Sequence, residues 1–347
     1  MAPPANPQVP SPETQADSRV PVLDVHVHLA GLGGGGSGCR VSPAMRRSLV
    51  FGILRRWLRL DPEDPEADAS YARTLAGLLD GAAHVDLAVV LGLDGVYDES
   101  GRLDPERSHL MVPNRHVFDV CRRHRCLLPG VSIHPGRPDA LEELARCDDD
   151  GAVLVKWLPP LQLFDPSEAR YHPFYRELAR RGLPLLSHTG CEHTFPDVHH
   201  ELAYAERLRP ALEEGVTVIA AHCGTACRLH RAHDRSRQVL EMMNEFPNLY
   251  ADTSALASLL KFQYLQQLPI ARRADRFLHG SDYPIPCLAL PFVRALGLAR
   301  ALRLTFGANP IEADWEIKQA VGFPAEVFTN AGRLLAPRIT KWRTLGA

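Results

Sequence analysis

Eight short apolar runs recur along this chain, separated by longer segments whose apolar residues have helical spacing. Runs rich in Val, Ile, Leu and Ala suit strands that are buried on both faces, as in a parallel sheet. Their alternation with helical segments is typical of repeated βα units. The predicted strands are residues 22–29, 86–93, 127–134, 152–158, 184–188, 216–222, 249–253 and 277–282.

Eight βα units predict an α/β fold, specifically a (β/α)8 TIM barrel in which the 347 residues form a single domain with an insertion. An open doubly wound sheet, the alternative, normally carries a Gly-rich phosphate loop after its first strand. Here the first strand ends in histidines instead. Gly182 and Gly215 follow the helices predicted over 171–181 and 202–214 and suit left-handed caps before the next strand.

The predicted insertion follows the first strand. Residues 31–38 are Gly-rich but lack the Gly-Lys-Ser/Thr of a phosphate loop, so they indicate either a mobile active-site loop or a permissive linker. Helices predicted at 46–60 and 71–79 would cap the barrel mouth. Residues 1–20 are rich in Pro, Ser, Gln and Asp and lack the apolar run of a signal peptide, which predicts a disordered tail before a domain over 21–347.

Composition narrows the range of partners. Lys and Arg number 39 against 41 Asp and Glu, and this net charge of −2 offers no field for holding nucleic acid or an anionic membrane. No run approaches the ~18 apolar residues of a membrane span. The 8 cysteines lack paired CxxC elements and indicate reduced thiols. We expect a cytoplasmic protein with a small-molecule substrate, and the sequence leaves homo-oligomer formation open.

Ligand-type residues end several of the predicted strands. His26 and His28 lie two positions apart on the first strand, so their side chains share one face and can converge on a metal ion. Taken alone, the pair is equally consistent with two histidines fixed by hydrogen bonds. Later strands end at His188, His222 and Asp282, and this recurrence favours a metal site.

The carboxyl ends of barrel strands meet at one face, so these five residues can share one site. Imidazole and carboxylate ligands suit Zn²⁺, with Mn²⁺, Fe²⁺ or Co²⁺ as alternatives, and such a metal lowers the pKa of bound water to about 7. Asp282 is predicted both to ligate the ion and to shuttle a proton. His222 is predicted either to ligate or to polarise a substrate carbonyl.

Lys156 lies near the end of the fourth predicted strand, and its parity opposes that of Trp157. A lysine that faces a barrel interior is costly unless it is paired or modified. Three roles stay open: it is carboxylated by CO₂ and bridges a second metal ion, it binds a substrate carboxylate, or it pairs with an acidic neighbour.

Other polar residues have weaker assignments. Asp252 ends the seventh strand and is predicted to orient a metal ligand or to cap the following helix. His134 is predicted to be structural rather than in contact with substrate, and at most one of three histidines in the loop after the fifth strand is expected at the site. Three arginines after the sixth strand suit either a carboxylate clamp or a solvated surface. These loop residues are His193, His199 and His200, followed by Arg228, Arg231 and Arg235.

Five motifs in a fixed order carry a family resemblance. They are His26-x-His28, Lys156, His188-Thr189-Gly190, His222-Cys223-Gly224 and Gly280-Ser281-Asp282-Tyr283-Pro284. With a C-terminal segment at 328–335, this pattern resembles the amidohydrolase superfamily over about residues 22–335, specifically the amidohydrolase-related branch that includes aminocarboxymuconate-semialdehyde decarboxylase.

The resemblance implies a role for each matching residue. It implies that the metal is bound by His26, His28, His188 and Asp282. It also implies that His222 activates substrate or water, or binds a second ion. Lys156 occupies the strand on which binuclear relatives keep a bridging carboxylated lysine, so one and two ions both remain open.

The leading functional hypothesis is a metal-dependent hydrolase of a C–O or C–N bond in a small molecule, in which metal-activated water attacks a carbonyl and Asp282 shuttles the proton. The alternative is a metal-dependent non-oxidative decarboxylase or hydratase of a small carboxylic acid. A non-catalytic metal-dependent binding protein is disfavoured, because a complete ligand set and a proton-shuttle carboxylate are both present.

Overall fold

The computed structural model describes residues 19–228, 230–307 and 309–346. Within them, eight parallel strands form one sheet in which each strand pairs with the next along the chain. The strands are β1 (Leu23–His28), β2 (Leu87–Leu91), β3 (Leu127–Val131), β4 (Leu154–Trp157), β5 (Leu185–His188), β6 (Val218–Ala221), β7 (Leu249–Asp252) and β8 (Phe277–Leu278).

The segment after β8 closes the sheet against β1. The Asp282 N–H donates to the His26 carbonyl at 2.9 Å, and the His28 N–H donates to the Tyr283 carbonyl at 2.7 Å. The predicted (β/α)8 barrel is therefore confirmed.

The strands are buried on both faces, as their composition predicts. Val89, Val155 and Ile219 are each fully buried, and one contiguous apolar core includes them together with the inward faces of the surrounding helices. Burial contributes about 0.8 kcal/mol for each CH₂ group removed from water, which is why near-continuous apolar runs are stable in this position.

Helices cover the barrel and build the insertion. Those of the described ranges are α1 (Pro43–Arg47), α2 (Leu49–Trp57), α3 (Ala67–Asp80), α4 (Asn114–Arg123), α5 (Ala140–Asp149), α6 (Pro159–Gln162), α7 (His172–Arg181), α8 (Arg209–Glu213), α9 (Ser236–Glu245), α10 (Tyr264–Gln267), α11 (Val293–Leu296), α12 (Leu298–Phe306), α13 (Pro310–Ala320), α14 (Ala325–Leu334) and α15 (Ala336–Leu345). Two short antiparallel pairs lie outside the barrel sheet: Arg40–Val41 with Leu110–Met111, and Val96–Tyr97 with Leu103–Asp104.

The insertion contains one more helix than predicted. The segment predicted as a single helix over 46–60 is divided between α1 and α2 at Ser48, whose extended backbone (φ −63°, ψ 133°) ends the first helix. The Ser48 side chain then accepts from the Phe51 N–H at 3.5 Å and caps the second helix. Asp68 on α3 fastens the Gly-rich loop by accepting from the Leu32 N–H at 2.5 Å and the Gly33 N–H at 3.0 Å.

The helix predicted over 202–214 is wrong in its extent. The chain forms two 3-10 turns, His200–Ala203 and Ala205–Leu208, before the short helix α8. Tyr204 is extended (φ −71°, ψ 130°) and interrupts the helical path. Pro210 then lies in the first turn of α8, where its missing N–H removes no helical hydrogen bond.

Two glycines end their helical segments as predicted. Gly182 and Gly215 have φ values of +59° and +83°, so both glycines adopt the left-handed conformation predicted for them. The predicted tail over 1–20 lies outside the described residues except for Arg19 and Val20. Across the described ranges, every helix is too short or too polar to cross a membrane.

Candidate metal centre

The six predicted site residues lie at or just beyond the carboxyl ends of five barrel strands. They are His26 and His28 on β1, Lys156 on β4, His188 at the end of β5, His222 directly after β6 and Asp282 after β8. Their convergence follows from the barrel, because parallel strands bring their carboxyl ends to one face.

Two imidazoles meet one carboxylate oxygen. His28 Nε2 lies 3.1 Å from Asp282 Oδ1, and His26 Nε2 lies 3.3 Å from the same oxygen. His26 is fully buried, and this burial, together with the nearby charge of Lys156, lowers its pKa well below the usual range. The ring is therefore neutral and able to ligate a metal.

Lys156 points into the barrel, as its parity predicts. Its Nζ lies 3.1 Å from His26 Nε2, and the side chain is fully buried. Burial lowers the pKa of Lys156 to about 8, although the carboxylates of Asp252 and Asp282 oppose the shift. With this pKa, roughly a tenth of the amine is neutral at pH 7, far more than for an ordinary lysine, and the neutral amine is the form that reacts with CO₂.

His188 and His222 form the other side of the cluster. His222 Nε2 lies 3.2 Å from His188 Nδ1, and burial lowers the pKa of both rings well below the usual range. His188 Nε2 is buried and has no hydrogen-bond partner among the described residues. Glu192 Oε2 lies 3.9 Å from His188 Nδ1.

Asp252 and Ser254 support the imidazoles. Asp252 Oδ2 lies 2.7 Å from His26 Nδ1, while its Oδ1 accepts from the His222 N–H at 2.7 Å. The Ser254 hydroxyl lies 3.0 Å from His26 Nδ1 and 2.8 Å from His222 Nδ1. Asp252 thus occupies the orienting position predicted for it, whereas Ser254 was not predicted.

The donor set fits a divalent transition metal. The ligand atoms of His26, His28 and Asp282 lie within 4.8 Å of one another, and nitrogen and oxygen donors of this kind suit zinc. His188 lies outside this three-residue group, but its Nε2 is a buried polar atom that is costly to leave without a partner and that an ion within reach would satisfy.

Two residues of the cluster have a backbone that side chains rarely adopt. Asp282 has φ +70° and His222 has φ +58°. Left-handed non-glycine residues are strained and concentrate at functional sites, where surrounding hydrogen bonds hold them. At Asp282 the bond to the His26 carbonyl is one such restraint.

A cavity of about 110 Å³ opens at the cluster. His28, His188, His222 and Asp282 contribute its polar base, and most of its other wall atoms are apolar. The insertion supplies one wall through its loop and its first two helices, whereas the helix predicted over 71–79 does not line the cavity. Its wall residues from the insertion include Gly31, Leu32, Met45, Phe51, Leu54, Arg55 and Leu58.

Several predicted candidates lie away from this cavity. The Arg228 guanidinium is 5.6 Å from the Phe262 ring and that of Arg235 is 3.9 Å from the Tyr204 ring, and neither these two nor Arg231 lines the cavity. His134 Nε2 lies 3.0 Å from the Gln162 carbonyl, which agrees with its structural interpretation.

Besides Ser254, two further residues near the cluster were not predicted from the sequence. They are Glu192 in the loop after β5 and Lys261 after β7. The charge of Lys261, which is buried, adds to burial in lowering the pKa of His222. Neither residue belongs to a recognisable sequence pattern, and only the fold brings them to the site.

Comparison with solved structures supports the fold. An uncharacterized TIM-barrel protein from Bordetella bronchiseptica has a TM-score of 0.60 at 18% identity, covering 91% of this chain and 99% of its own. A protein described as a probable 2-pyrone-4,6-dicarboxylic acid hydrolase from Acinetobacter baumannii has a TM-score of 0.55 at 12% identity, with 91% and 99% coverage. A 2,6-dihydroxybenzoate decarboxylase from Rhizobium has a TM-score of 0.51 at 16% identity, with 91% and 98% coverage.

No protein of curated function matched the sequence. The sequence profile of the amidohydrolase family matches residues 23–321, which is most of the chain and extends from β1 through α13. The match spans all eight strands and the strand-end residues described above. The chain therefore belongs to the amidohydrolase family.

Proposed function

We propose that this protein is a metal-dependent hydrolase that cleaves a C–O or C–N bond in a small molecule. The observation that carries the proposal is the convergence of His26 Nε2 and His28 Nε2 on one oxygen of Asp282 at the base of a cavity. Membership of the amidohydrolase family supports the proposal that the protein is an enzyme. It also supports the proposed metal, because amidohydrolases are generally metal-dependent.

The proposed metal ligands are His26, His28, His188 and Asp282. His222 and Lys156 join them if a second ion binds. Zinc is the proposed metal, with Mn²⁺, Fe²⁺ or Co²⁺ as alternatives. When bound, the metal supplies Lewis acidity toward the scissile carbonyl and lowers the pKa of water to about 7.

The protein side chains have distinct proposed roles. Asp282 Oδ1 is directed at the two imidazoles, so Oδ2 can take the proton of the attacking water and return it to the leaving group. His222 Nε2 faces His188, and the Nδ1 side of the ring is held by Ser254. That fixed ring can polarise a substrate carbonyl or serve as a ligand.

Decarboxylation of a small carboxylic acid is the second candidate, and one observation favours it. Among the described residues, Arg55 is the only basic side chain of the Lys or Arg type that lines the cavity. Its Nη1 donates to the Leu60 carbonyl at 3.1 Å, which leaves the other guanidinium N–H groups to bind a substrate carboxylate.

The two reactions are separable by their products. Zinc-reconstituted protein is incubated with lactones, esters, amides and small aromatic or unsaturated carboxylic acids, and acid release and CO₂ release are measured in parallel. We expect acid release without CO₂, retained in the exposed-site control His199→Ala and lost in His26→Ala/His28→Ala. CO₂ release alone would replace the hydrolase by the decarboxylase, and no turnover with metal bound would contradict both.

Lys156 decides between one and two ions. We favour a carboxylated Lys156 that bridges two metal ions, because its buried amine has a lowered pKa and lies beside His26. Protein exchanged with ¹³C-bicarbonate should show a carbamate carbon by NMR and bind two metal ions at the centre. The activity of Lys156→Ala should be partly restored by a short carboxylic acid. An unmodified lysine with a single ion at the centre would reject the bridged arrangement.

A further inference from the structure

A second group of histidines lies beside the proposed catalytic centre and shares no residue with it. His200 ends the loop after β5, whereas His230 and His233 lie in the loop between β6 and α9. One ligand nitrogen from each ring lies within 4.8 Å of the other two. We propose that these three residues, here called the outer histidine cluster, bind a divalent transition metal, with zinc the best fit.

The rings are close enough to converge on one ion. The ring centroids of His200 and His233 are 4.6 Å apart, and those of His200 and His230 are 5.6 Å apart. Three imidazole nitrogens with a fourth position left to water form a common zinc coordination set. His230 is exposed, so an ion can reach the cluster from solvent.

The surroundings of His200 favour the neutral imidazole that a metal requires. Burial and the neighbouring charges of His233 and His230 lower the pKa of His200. The Tyr204 hydroxyl lies 3.1 Å from His233 Nδ1 and can accept a hydrogen bond from Nδ1–H, which leaves the Nε2 lone pair of that ring to act as the ligand. The Glu192 N–H reaches His200 Nδ1 only at 3.4 Å, so little is lost when this ring ligates an ion.

A neighbouring thiol group is the competing location. Ligand atoms of Cys191, His193 and Cys227 also lie within 4.8 Å of one another. Two of these residues are fully enclosed, and Cys191 Sγ already accepts from the Cys227 N–H at 2.7 Å and lies 3.0 Å from His193 Nε2. In the outer histidine cluster, by contrast, His230 is exposed and gives an ion access from solvent. We therefore place the ion on the histidines.

Glu192 connects the outer histidine cluster to the proposed catalytic centre. Its N–H faces His200, while its carboxylate lies 3.9 Å from His188 Nδ1. Its Oε1 accepts from the backbone N–H groups of His193 and Thr194 at 2.7 and 2.6 Å. These two bonds fix the Glu192 carboxylate at the edge of the cavity.

A metal on the outer histidine cluster would therefore hold one wall of the cavity in place. It would join the loop after β5 to the loop after β6, because His200 lies in the first loop and His230 and His233 lie in the second. The residues of the first loop that line the cavity are Glu192, Thr194 and Phe195. Binding of the ion should hold this wall in place.

Metal content tests the site directly. Wild type, His230→Ala/His233→Ala and the matched control His199→Ala are saturated with Zn²⁺, passed through gel filtration and measured by elemental analysis. We expect the double variant to lose one equivalent per chain and the control to lose none. His26→Ala/His28→Ala should keep the outer ion, which separates this site from the proposed catalytic centre. Equal zinc in wild type and His230→Ala/His233→Ala would overturn the proposal.

Cobalt spectra identify the ligands. Co²⁺ bound in the His26→Ala/His28→Ala background should give visible bands without thiolate-to-cobalt charge transfer, and His200→Gln should abolish those bands. Charge transfer from thiolate would move the ion to the cysteine group and overturn the histidine assignment. Far-UV circular dichroism verifies that each variant is folded.

Hydrogen exchange tests the structural effect. Amides of residues 189–203 should exchange faster in folded His230→Ala/His233→Ala than in zinc-loaded wild type, whereas His199→Ala should match wild type. Unchanged exchange after the outer ion is lost would reject the anchoring role.

Discussion

The two ring nitrogens of His26 have different partners. Nδ1 lies against the Asp252 carboxylate, whereas Nε2 faces Asp282 and Lys156. A carboxylate at Nδ1 fixes the tautomer with its proton on that nitrogen and leaves the Nε2 lone pair directed into the centre. The chemistry of the site is therefore decided partly by a residue that does not itself face the cavity.

Replacing Asp252 should weaken metal binding. In Asp252→Asn the amide oxygen can keep the N–H groups of His222 and Ser254, which both donate to Oδ1 in wild type, but an amide NH₂ group then replaces Oδ2, the charged acceptor for His26 Nδ1. We expect metal affinity to fall about 10- to 100-fold, measured by competition with a fluorescent chelator. The exposed-carboxylate control Asp61→Asn should bind as wild type does, and wild-type affinity in Asp252→Asn would contradict the orienting role.

Asp282→Asn should keep most of the fold but lose turnover. An amide occupies similar space yet cannot shuttle a proton, and loss of a general acid/base costs about 10²- to 10⁴-fold in rate. We expect the kcat of the metal-loaded variant to fall by at least about 10²-fold. It is measured on the substrate that the product assays identify. Near-wild-type turnover in folded, metal-loaded Asp282→Asn would remove Asp282 from the proposed mechanism.

At the residue scale, strand-end position made the convergence of the candidate residues predictable. His188, His222 and Asp282 follow apolar runs whose carboxyl ends must meet in a barrel. Ser254 and Glu192 also approach the imidazoles, but a serine after Asp252 or a glutamate in a loop is common in any sequence. Their contacts depend on the path of the loops, which no local pattern encodes.

Helix α13 is hydrogen-bonded to the segment that follows β8. Lys318 Nζ donates to the Gly280 carbonyl at 2.7 Å and pairs with Asp314, one turn earlier on the same helix. Both side chains are buried. Burial raises the pKa of Asp314 to about 7, and the charge of Lys318 limits that rise.

Lys318→Met should change how stability depends on pH. A raised carboxyl pKa means that the folded state holds the proton, so its stabilising contribution is lost as pH rises from about 4 toward the folded pKa. In wild type this decline should level off above about pH 7, where Asp314 ionises beside Lys318. In the variant the folded pKa is higher, so the free energy of unfolding should keep falling above pH 7 by up to about 1.4 kcal/mol per pH unit.

Denaturant titrations at pH 6, 7, 8 and 9 measure this difference. The matched control is Lys318→Met/Asp314→Asn, which lacks the titrating carboxyl group and should not show the extra decline. Parallel pH profiles for wild type and Lys318→Met would show that Lys318 does not set the ionisation of Asp314.

Element boundaries were less predictable than element types. The last strand, predicted over 277–282, ends at Leu278, because the chain then turns toward the left-handed backbone of Asp282. The helices predicted over 46–60 and 202–214 are interrupted at Ser48 and Tyr204. Such interruptions arise from local backbone angles, which apolar periodicity does not report.

At the scale of the whole molecule, the barrel was predictable because apolar runs and helical segments alternate eight times along the chain. Contacts between distant loops were not predictable. His200 and His230 meet through loops that follow different strands, and Glu312 on α13 accepts from the backbone N–H groups of Ala83 and His84 at 3.1 and 3.2 Å. Pairings of this kind follow from tertiary packing.

Metal removal should destabilise the whole fold. An ion that binds only the native state stabilises it by about 2.7 kcal/mol when its free concentration is 100 times Kd. We expect a strong chelator to lower the Tm by several degrees, measured by differential scanning calorimetry. His26→Ala/His28→Ala should show a smaller shift, and equal shifts in both proteins would place the stabilising ion elsewhere.

The closing seam of the barrel has a consequence for how the protein is made. Asp282 follows His28 by 254 residues, yet its N–H bonds to β1 and its carboxylate meets both β1 imidazoles. During synthesis both imidazoles are therefore present before the matching carboxylate, which arrives only when the segment after the last strand has been made. With the proposed ligand set, acquisition of the ion would be coupled to closure of the barrel, and incomplete chains would be excluded from full metal loading.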